Sequence, residues 1–149
     1  MKNKGYIEAL CTSKEKGTVK LPVKEAGFVK GHGIKGDAHA GSWHRQVSLL
    51  AGESIDRLKM KMPELKQGAF AENIITRELD LKKVKVGSNI RVGREILLKV
   101  TQIGKECHHG CEIKHQTGEC IMPTEGIFAE VLHGGTAKPG DPVKLLAHS

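Results

Sequence analysis

Short apolar stretches separated by glycines constrain the fold of this chain more than any other feature. Eighteen glycines are scattered through the 149 residues and never form a low-complexity run. Between them, hydrophobic and polar side chains alternate with a period of two, which is typical of half-buried strands. Many short strands with regular turn signals favour a closed or sandwiched antiparallel sheet. We therefore expect one mostly β domain spanning residues 1–149.

The alternation predicts where most of the strands lie. They are expected around Ile7–Ala9, Val19–Lys24, Arg45–Leu50 and Phe70–Arg77, as three short strands between Val84 and Ile103, and over Ile127–Leu132 and Val143–Leu146. In the second of these, Lys20 falls on the polar face, and Pro22 restricts the strand to a sheet edge because proline has no N–H to donate. One helix is predicted over Glu53–Met60, where Ile55 and Leu58 share an apolar face. The domain is thus expected to have one or two short helices.

The charge balance and the hydrophobic pattern exclude several classes of protein. The 24 basic and 17 acidic residues give a net charge of +7. Only 3% of the residues are aromatic, too few for a base-stacking surface, and the lysines form no stripe, so we expect no nucleic-acid partner. A small anionic ligand would suit the same charge. No apolar run reaches the roughly 18 residues of a membrane span, and no signal core follows the N-terminus, so we expect a cytoplasmic protein without membrane contact.

Three of the four cysteines lie close together, after a predicted strand. They are Cys107, Cys111 and Cys120, whereas Cys11 stands alone and is expected to be a small buried hydrophobe. Lys105 lies two residues before Cys107, and a positive neighbour lowers the pKa of a cysteine thiol. A thiolate at Cys107 would serve nucleophilic attack, carriage of sulfur as a persulfide, or ligation of a soft metal.

Two arrangements remain open for this cysteine segment. The spacing of Cys107 and Cys111 suits chelation, and Cys120 with a nearby histidine would complete a zinc site, although the paired knuckles of a specific zinc motif are absent. In the other arrangement Cys107 is the single working thiolate, and Cys111 is a resolving cysteine or a second metal ligand. The residues alone do not separate these two hypotheses.

A second polar segment precedes the strand predicted at Arg45–Leu50. Asp37, His39 and Arg45 are polar or charged residues, which are uncommon in an apolar core. The small residues between them allow a ligand to approach the backbone. These three residues are therefore candidates for ligand binding. The stretch 31–36 matches G-x-G-x-x-G, but a loop follows it where a dinucleotide site requires a helix, so we expect no such site.

Four segments in a fixed order carry a further signal. The first is Gly-Asp-Ala-His-Ala-Gly at 36–41 with His-Arg-Gln-Val at 44–47, and the second is Gly-Ala-Phe-Ala-Glu-Asn-Ile at 68–74. The third is Val-Thr-Gln at 100–102, which leads to Cys107, and the fourth is Gly-Ile-Phe-Ala at 126–129 with turns at 134–135 and 138–141. From about Gly17 to Leu146 the chain resembles the MOSC domain family, named after the C-terminal domain of molybdenum cofactor sulfurase.

The resemblance implies a β-barrel-like fold and a role in molybdenum cofactor chemistry. Cys107 matches the family's characteristic cysteine, which is associated with carrying sulfur or with ligating molybdenum of the pterin cofactor (molybdopterin). The resemblance also implies a set of cofactor-binding residues that line or shape the site, with Lys105 supporting the thiolate. This set comprises Asp37, His39, Arg45, Glu72, Asn73 and Lys105.

The resemblance leaves the activity open between several functions. Sulfur transfer is one, and cofactor-dependent reduction of N-hydroxylated compounds, as in some relatives, is another. A non-catalytic module that delivers cofactor or molybdate to a partner enzyme is the alternative, and a structural zinc module is the third. Two departures from the family pattern stand out: Lys105 is the only cation in a segment that commonly has an arginine, and Ala71 replaces the usual glycine. The chain resembles the small stand-alone form, without the N-terminal domain of the larger reductases.

Overall fold

The fold is that of a computed structural model, which describes residues 3–16, 18–105 and 121–146. The strands are β1 (Lys4–Thr12), β2 (Leu21–Val23), β3 (Ala26–Val29), β4 (Gly33–Ile34), β5 (Val47–Ala51), β6 (Ile74–Arg77), β7 (Asn89–Val92), β8 (Ile96–Ile103), β9 (Ile127–His133), β10 (Gly135–Ala137) and β11 (Pro142–Leu145). The helices are α1 (Gly52–Lys59), α2 (Met122–Glu125) and a 3-10 helix at Leu81–Lys83. None of the described helices is long and apolar enough to cross a membrane.

Seven strands close into a barrel. Their order is β1-β11-β7-β8-β9-β5-β6, and β6 pairs with β1 to complete the ring. β2 is added to β1 at an edge, as its proline predicts, and β3, β4 and β10 form a separate small sheet. The mostly β, closed-barrel prediction is confirmed.

The barrel differs from the antiparallel prediction at one pair of strands. β5 and β6 run parallel, while the other neighbouring pairs are antiparallel. Parallel neighbours require a crossover connection. The residues between β5 and β6, which include α1, supply that crossover and bring the helix onto the outer surface of the barrel.

Two apolar layers hold the barrel and its helix together. Along β5 and β6, Leu49 and Ile74 face the barrel interior, whereas Leu50 and Ile75 face outward into a second cluster. Ile55 and Leu58 of α1 pack in that outer cluster, which is why the predicted helix forms where it does. The β5–β6 pair is therefore buried on both faces where α1 packs against it.

Several boundaries differ from the predictions. The strand predicted over Phe70–Arg77 begins only at Ile74, because Ala71 adopts a left-handed backbone conformation with φ 61°. Of the three strands predicted between Val84 and Ile103, two form. The strands β3, β4 and β10 were not predicted, since they are two to four residues long and rich in glycine.

We predict that Ala71→Gly stabilises the protein. An L-residue in the left-handed region costs roughly 1–2 kcal/mol, and the greater freedom of glycine in the unfolded chain offsets part of the gain. Urea unfolding should therefore show a free energy of unfolding that is higher by up to about 1 kcal/mol. Ala69→Gly, two residues earlier and without a positive φ, is the control and should lower it by about 1 kcal/mol. Equal losses in the two variants would contradict the prediction.

Candidate functional site

Lys20 is the buried centre of the site, contrary to its predicted place on the polar face of a strand. It is 1% exposed, whereas its neighbours Val19 and Leu21 are 59% and 67% exposed. Its backbone N–H donates to the carbonyl of Gly68 at 2.9 Å, which fixes the chain before β2 begins. The predicted burial pattern is therefore reversed in this stretch: the lysine is buried and its two apolar neighbours are exposed. A buried ammonium needs acceptors around it, and the fold supplies them.

The Lys20 ammonium donates to three acceptors from two loops. Its Nζ lies 2.6 Å from Asp37 Oδ1, 2.9 Å from His39 Nδ1 and 3.3 Å from Ser13 Oγ. Asp37 is buried as well, and it also accepts the backbone N–H groups of Ser13 and His39 at 3.1 and 3.2 Å. The carboxylate and the ammonium are thus both satisfied within the protein. They form a buried ion pair with its hydrogen bonds complete.

The contact with Lys20 determines the protonation of His39. An ammonium can only donate, so Nδ1 of the ring accepts, and the proton of the neutral ring is on Nε2. Burial lowers the pKa of His39 to about 4, and the positive charges of Lys20, Lys105 and Lys16 act in the same direction, against Asp37. His39 is therefore a neutral Nε2–H donor at pH 7.

Arg45 lies between two aromatic rings beside the ion pair. Its guanidinium carbon is 4.6 Å from the centroid of the Trp43 ring and 5.9 Å from that of Phe128. Trp43 is itself held by a 2.7 Å hydrogen bond from its indole N–H to the carbonyl of His39. The Nε atom of Arg45 is buried and has no hydrogen-bond partner among the described residues. We call Lys20, Asp37, His39, Trp43 and Arg45 the His39 cluster.

Glu72 and Asn73 are buried behind this cluster. Glu72 accepts the backbone N–H groups of Gly68 and Phe70 at 3.0 and 2.9 Å. Burial raises the pKa of Glu72, although these N–H groups and the charge of Lys20 oppose the rise. Asn73 Oδ1 accepts the backbone N–H of Ser48 at 2.9 Å, and its Nδ2 donates to the carbonyl of Cys11 at 3.0 Å. Both residues shape the site through the backbone, and their cofactor-binding role stays a prediction.

Gly68 connects the loop that Glu72 closes to the backbone of Lys20. A Cβ atom at this position would lie 1.9 Å from the carbonyl oxygen of Lys20, and its φ is +89°. Only glycine fits both the conformation and the space. The loop that Glu72 closes therefore supports Lys20, which in turn fixes Asp37 and His39.

The end of β8 lies against the same polar segment. His44 Nε2 is 2.8 Å from Gln102 Oε1, and the hydroxyl of Thr101 donates to the carbonyl of His44. Lys105 follows, close enough to His39 to lower its pKa, and its backbone N–H donates to the carbonyl of Met122 at 3.2 Å. The structure thus brings Asp37, His39, Arg45 and Lys105 to one region, and their role in binding a ligand stays a prediction.

The predicted cysteine chemistry lies outside the described residues. Cys107, Cys111 and Cys120 all fall within 106–120. In the remainder of the chain that the structure describes, no group of three or more His, Cys, Asp and Glu side chains is placed to hold a metal ion. Cys11 is fully buried, and burial together with the charge of Glu72 raises the pKa of its thiol to about 12. It is therefore an inert core residue at neutral pH.

A model of the MOSC domain family matches residues 36–144. The chain belongs to this family. The matched range contains Asp37, His39, Arg45 and the loop closed by Glu72, but it excludes Lys20. MOSC domains are associated with proteins of molybdenum cofactor chemistry.

Solved structures share the fold of this MOSC domain. The YUAD protein from Bacillus subtilis superposes with a TM-score of 0.81 at 20% identity, over 98% of this chain and 97% of that one. YiiM from Geobacillus stearothermophilus superposes with a TM-score of 0.70 at 19% identity, over 96% of this chain and 75% of that one. YiiM from Escherichia coli superposes with a TM-score of 0.66 at 19% identity, over 97% of this chain and 71% of that one. No curated protein matches the sequence.

Lys20 is the site residue that the sequence did not reveal. Its pattern, Val-Lys-Leu-Pro-Val, is that of an exposed lysine on an edge strand. The one available clue is indirect: a buried Asp37 requires a cation, and the sequence does not say which of the 24 basic residues supplies it.

We predict that Lys20→Met destabilises the protein by about 3 kcal/mol, because it leaves the Asp37 carboxylate buried without its cation. Urea unfolding measures the change. Lys24→Met, at an exposed lysine of the same segment, is the matched control and should change the free energy of unfolding by less than about 0.5 kcal/mol. Similar small effects in both variants would show that the ion pair is not a major support of this fold.

The pKa of His39 predicts a pH-dependent contribution to stability. The pKa of His39 in the folded protein, about 4, lies below the ordinary histidine value of 6.5, so the unfolded chain binds the proton more readily. The stabilising contribution of neutral His39 is complete above about pH 6.5 and is lost as the pH falls toward 4. Its size should be on the order of 1 kcal/mol after allowance for partial solvent exposure. The pH profile of His39→Gln should be flatter than that of the wild type, and parallel profiles would contradict the assignment.

Proposed function

We propose that this MOSC domain binds the anionic pterin of the molybdenum cofactor beside the His39 cluster, with Cys107 as the thiolate that carries sulfur or ligates molybdenum. The observation that carries the proposal is the set of cationic groups around a neutral histidine. Lys16, Lys20 and Lys105 are all close enough to His39 to lower its pKa, and Arg45 lies beside it on Trp43.

The residues present fit an anionic ligand. Arg45 has a buried Nε with no partner among the described residues, and a buried donor without an acceptor is costly. A phosphate oxygen would supply that acceptor and would form a charge-assisted hydrogen bond. Lys20, in contrast, already has three acceptors, so we assign it to support and not to ligand contact.

His39 and Lys105 would have distinct roles. Because His39 is neutral with its proton on Nε2, it would donate one directed hydrogen bond without adding charge. Lys105 would contribute positive potential that favours the thiolate of Cys107, two residues away in sequence. The cofactor, when bound, would supply the redox or sulfur-accepting chemistry of molybdenum.

Metal, pterin and sulfur analysis tests the role of Cys107. We predict that the protein, purified from a host that makes the cofactor, contains either molybdenum with pterin or cyanide-labile sulfur, and that Cys107→Ala abolishes the signal. Cys11→Ala is the matched control, since its buried thiol of raised pKa should contribute nothing. Zinc alone would favour the structural zinc module. A signal that depends on Cys111 and not on Cys107 would contradict the assignment.

A second test addresses Arg45. Loss of a charge-assisted hydrogen bond costs about 1.5–3 kcal/mol, so Arg45→Met should weaken cofactor retention about tenfold or more. Arg91→Met removes an exposed arginine on β7 and is the control. Retention is measured as molybdenum and pterin per protein after dialysis. Equal retention in the two variants would exclude Arg45 from the binding site. Stable retention without any turnover would indicate the accessory role of cofactor delivery.

A further inference from the structure

A separate cavity opens between α1, the 3-10 helix and α2. Its volume is about 540 Å³, and no residue of the His39 cluster lines it. Its apolar wall consists of Ala51, Leu79, Leu81, Val84, Ile103 and Ile127. Ile103 remains 42% exposed, although it is a large aliphatic side chain. The wall thus offers apolar surface to a ligand of small-molecule size.

The rim of this cavity is acidic, although the chain as a whole is basic. Four carboxylates line it, with two cationic side chains. The acidic residues are Glu53, Glu78, Asp80 and Glu125, and the cationic ones are Arg57 and Lys82. The rim therefore has two more acidic than basic groups, in a protein of net charge +7. This local reversal of sign favours a cationic ligand over an anionic one.

Both rim cations act on Glu125. Arg57 Nη2 donates to Glu125 Oε2 at 2.8 Å, and Ser54 Oγ donates to Oε1 at 2.6 Å. Although burial opposes it, these bonds and the charges of Arg57 and Lys82 lower the pKa of Glu125. The carboxylate of Glu125 is thus ionised and compensated by its neighbours.

Glu53 and Asp80 are not compensated in this way. Glu53 Oε2 accepts the backbone N–H of Glu78 at 2.8 Å, and Asp80 Oδ1 accepts that of Lys82 at 3.1 Å. In the described residues neither carboxylate forms a salt bridge. Backbone N–H groups orient these side chains but leave their negative charge in place. These two carboxylates therefore provide the negative charge available to a ligand.

A buried hydroxyl lies on β6, beside the strand residue Ala51 that lines the cavity, although Thr76 does not itself line it. Thr76 is fully buried, and its Oγ1 has no hydrogen-bond partner among the described residues. It is the register partner of Ala51, which lines the cavity, so the two side chains point to the same face of the sheet. An unsatisfied buried hydroxyl is costly unless a ligand or a water molecule meets it.

We infer that this cavity binds a small organic cation, an ammonium group attached to an apolar body. The ammonium would lie against Glu53 and Asp80, and the hydrocarbon would cover the apolar wall. A hydrated inorganic cation would leave that wall exposed to water, and a carboxylate would be repelled by the rim. The inference does not depend on the cofactor or on Cys107.

Calorimetric titration of the purified protein with three probes at pH 7 tests the inference. Benzylammonium should bind, whereas benzoate, of the same size and opposite charge, and methylammonium, which lacks the apolar body, should bind at least tenfold more weakly. The double variant Glu53→Gln/Asp80→Asn keeps both acceptors for the backbone N–H groups and removes two charges. It should weaken benzylammonium binding about tenfold, roughly threefold for each charge.

Glu64→Gln, at an exposed carboxylate outside the cavity, is the control and should bind benzylammonium as the wild type does. Backbone amide shifts in NMR spectra should change at Glu53, Leu81 and Ile103 on titration. Any of three results would overturn the inference: no binding of benzylammonium, equal binding of benzoate, or unchanged binding in the double variant. Because the protein is titrated without cofactor, failure of the proposed molybdenum function would leave this result unaffected.

Discussion

The ion pair between Lys20 and Asp37 supports the arrangement of the whole candidate site. Both side chains are removed from water, so each charge depends on the other and on the hydrogen bonds around it. The contacts of the pair reach the loop after β1 through Ser13 and the segment before β5 through His39. Through the backbone N–H of Lys20, which donates to the carbonyl of Gly68, they also reach the loop before β6. Three loops that are distant in sequence thus meet at this buried ion pair and at the backbone of Lys20.

Closure of the barrel brings these loops to the same place. β1 pairs with β6 on one side and with β11 on the other, and β5 lies beside β6. The end of β1 and the starts of β5 and β6 are consequently neighbours, and the loops that carry Ser13, Arg45 and Glu72 meet there. The side chains of the candidate site lie on loops, while the sheet fixes the distances between those loops.

The sequence predicts the barrel better than it predicts the site. Periodicity reveals strands such as β8 and β9 because one face of each is buried, and the helix α1 because its apolar residues share a face. Asp37, His39 and Arg45 were predictable because polar groups in a small-residue segment are unusual. Lys20 was not, since its burial follows from a partner 17 residues away. The left-handed conformation of Ala71 was not predictable either, because the alternation of apolar and polar residues does not indicate the sign of φ.

Trp43 gives the site a property that no other part of the chain shares. It is the only tryptophan in the sequence, and it lies against Arg45, Lys16 and the ring of His39. Its indole emission therefore reports on one location, without background from other tryptophans. A change in charge or water around the guanidinium should alter that emission directly. The unmodified protein thus contains its own optical reporter for occupancy of this region.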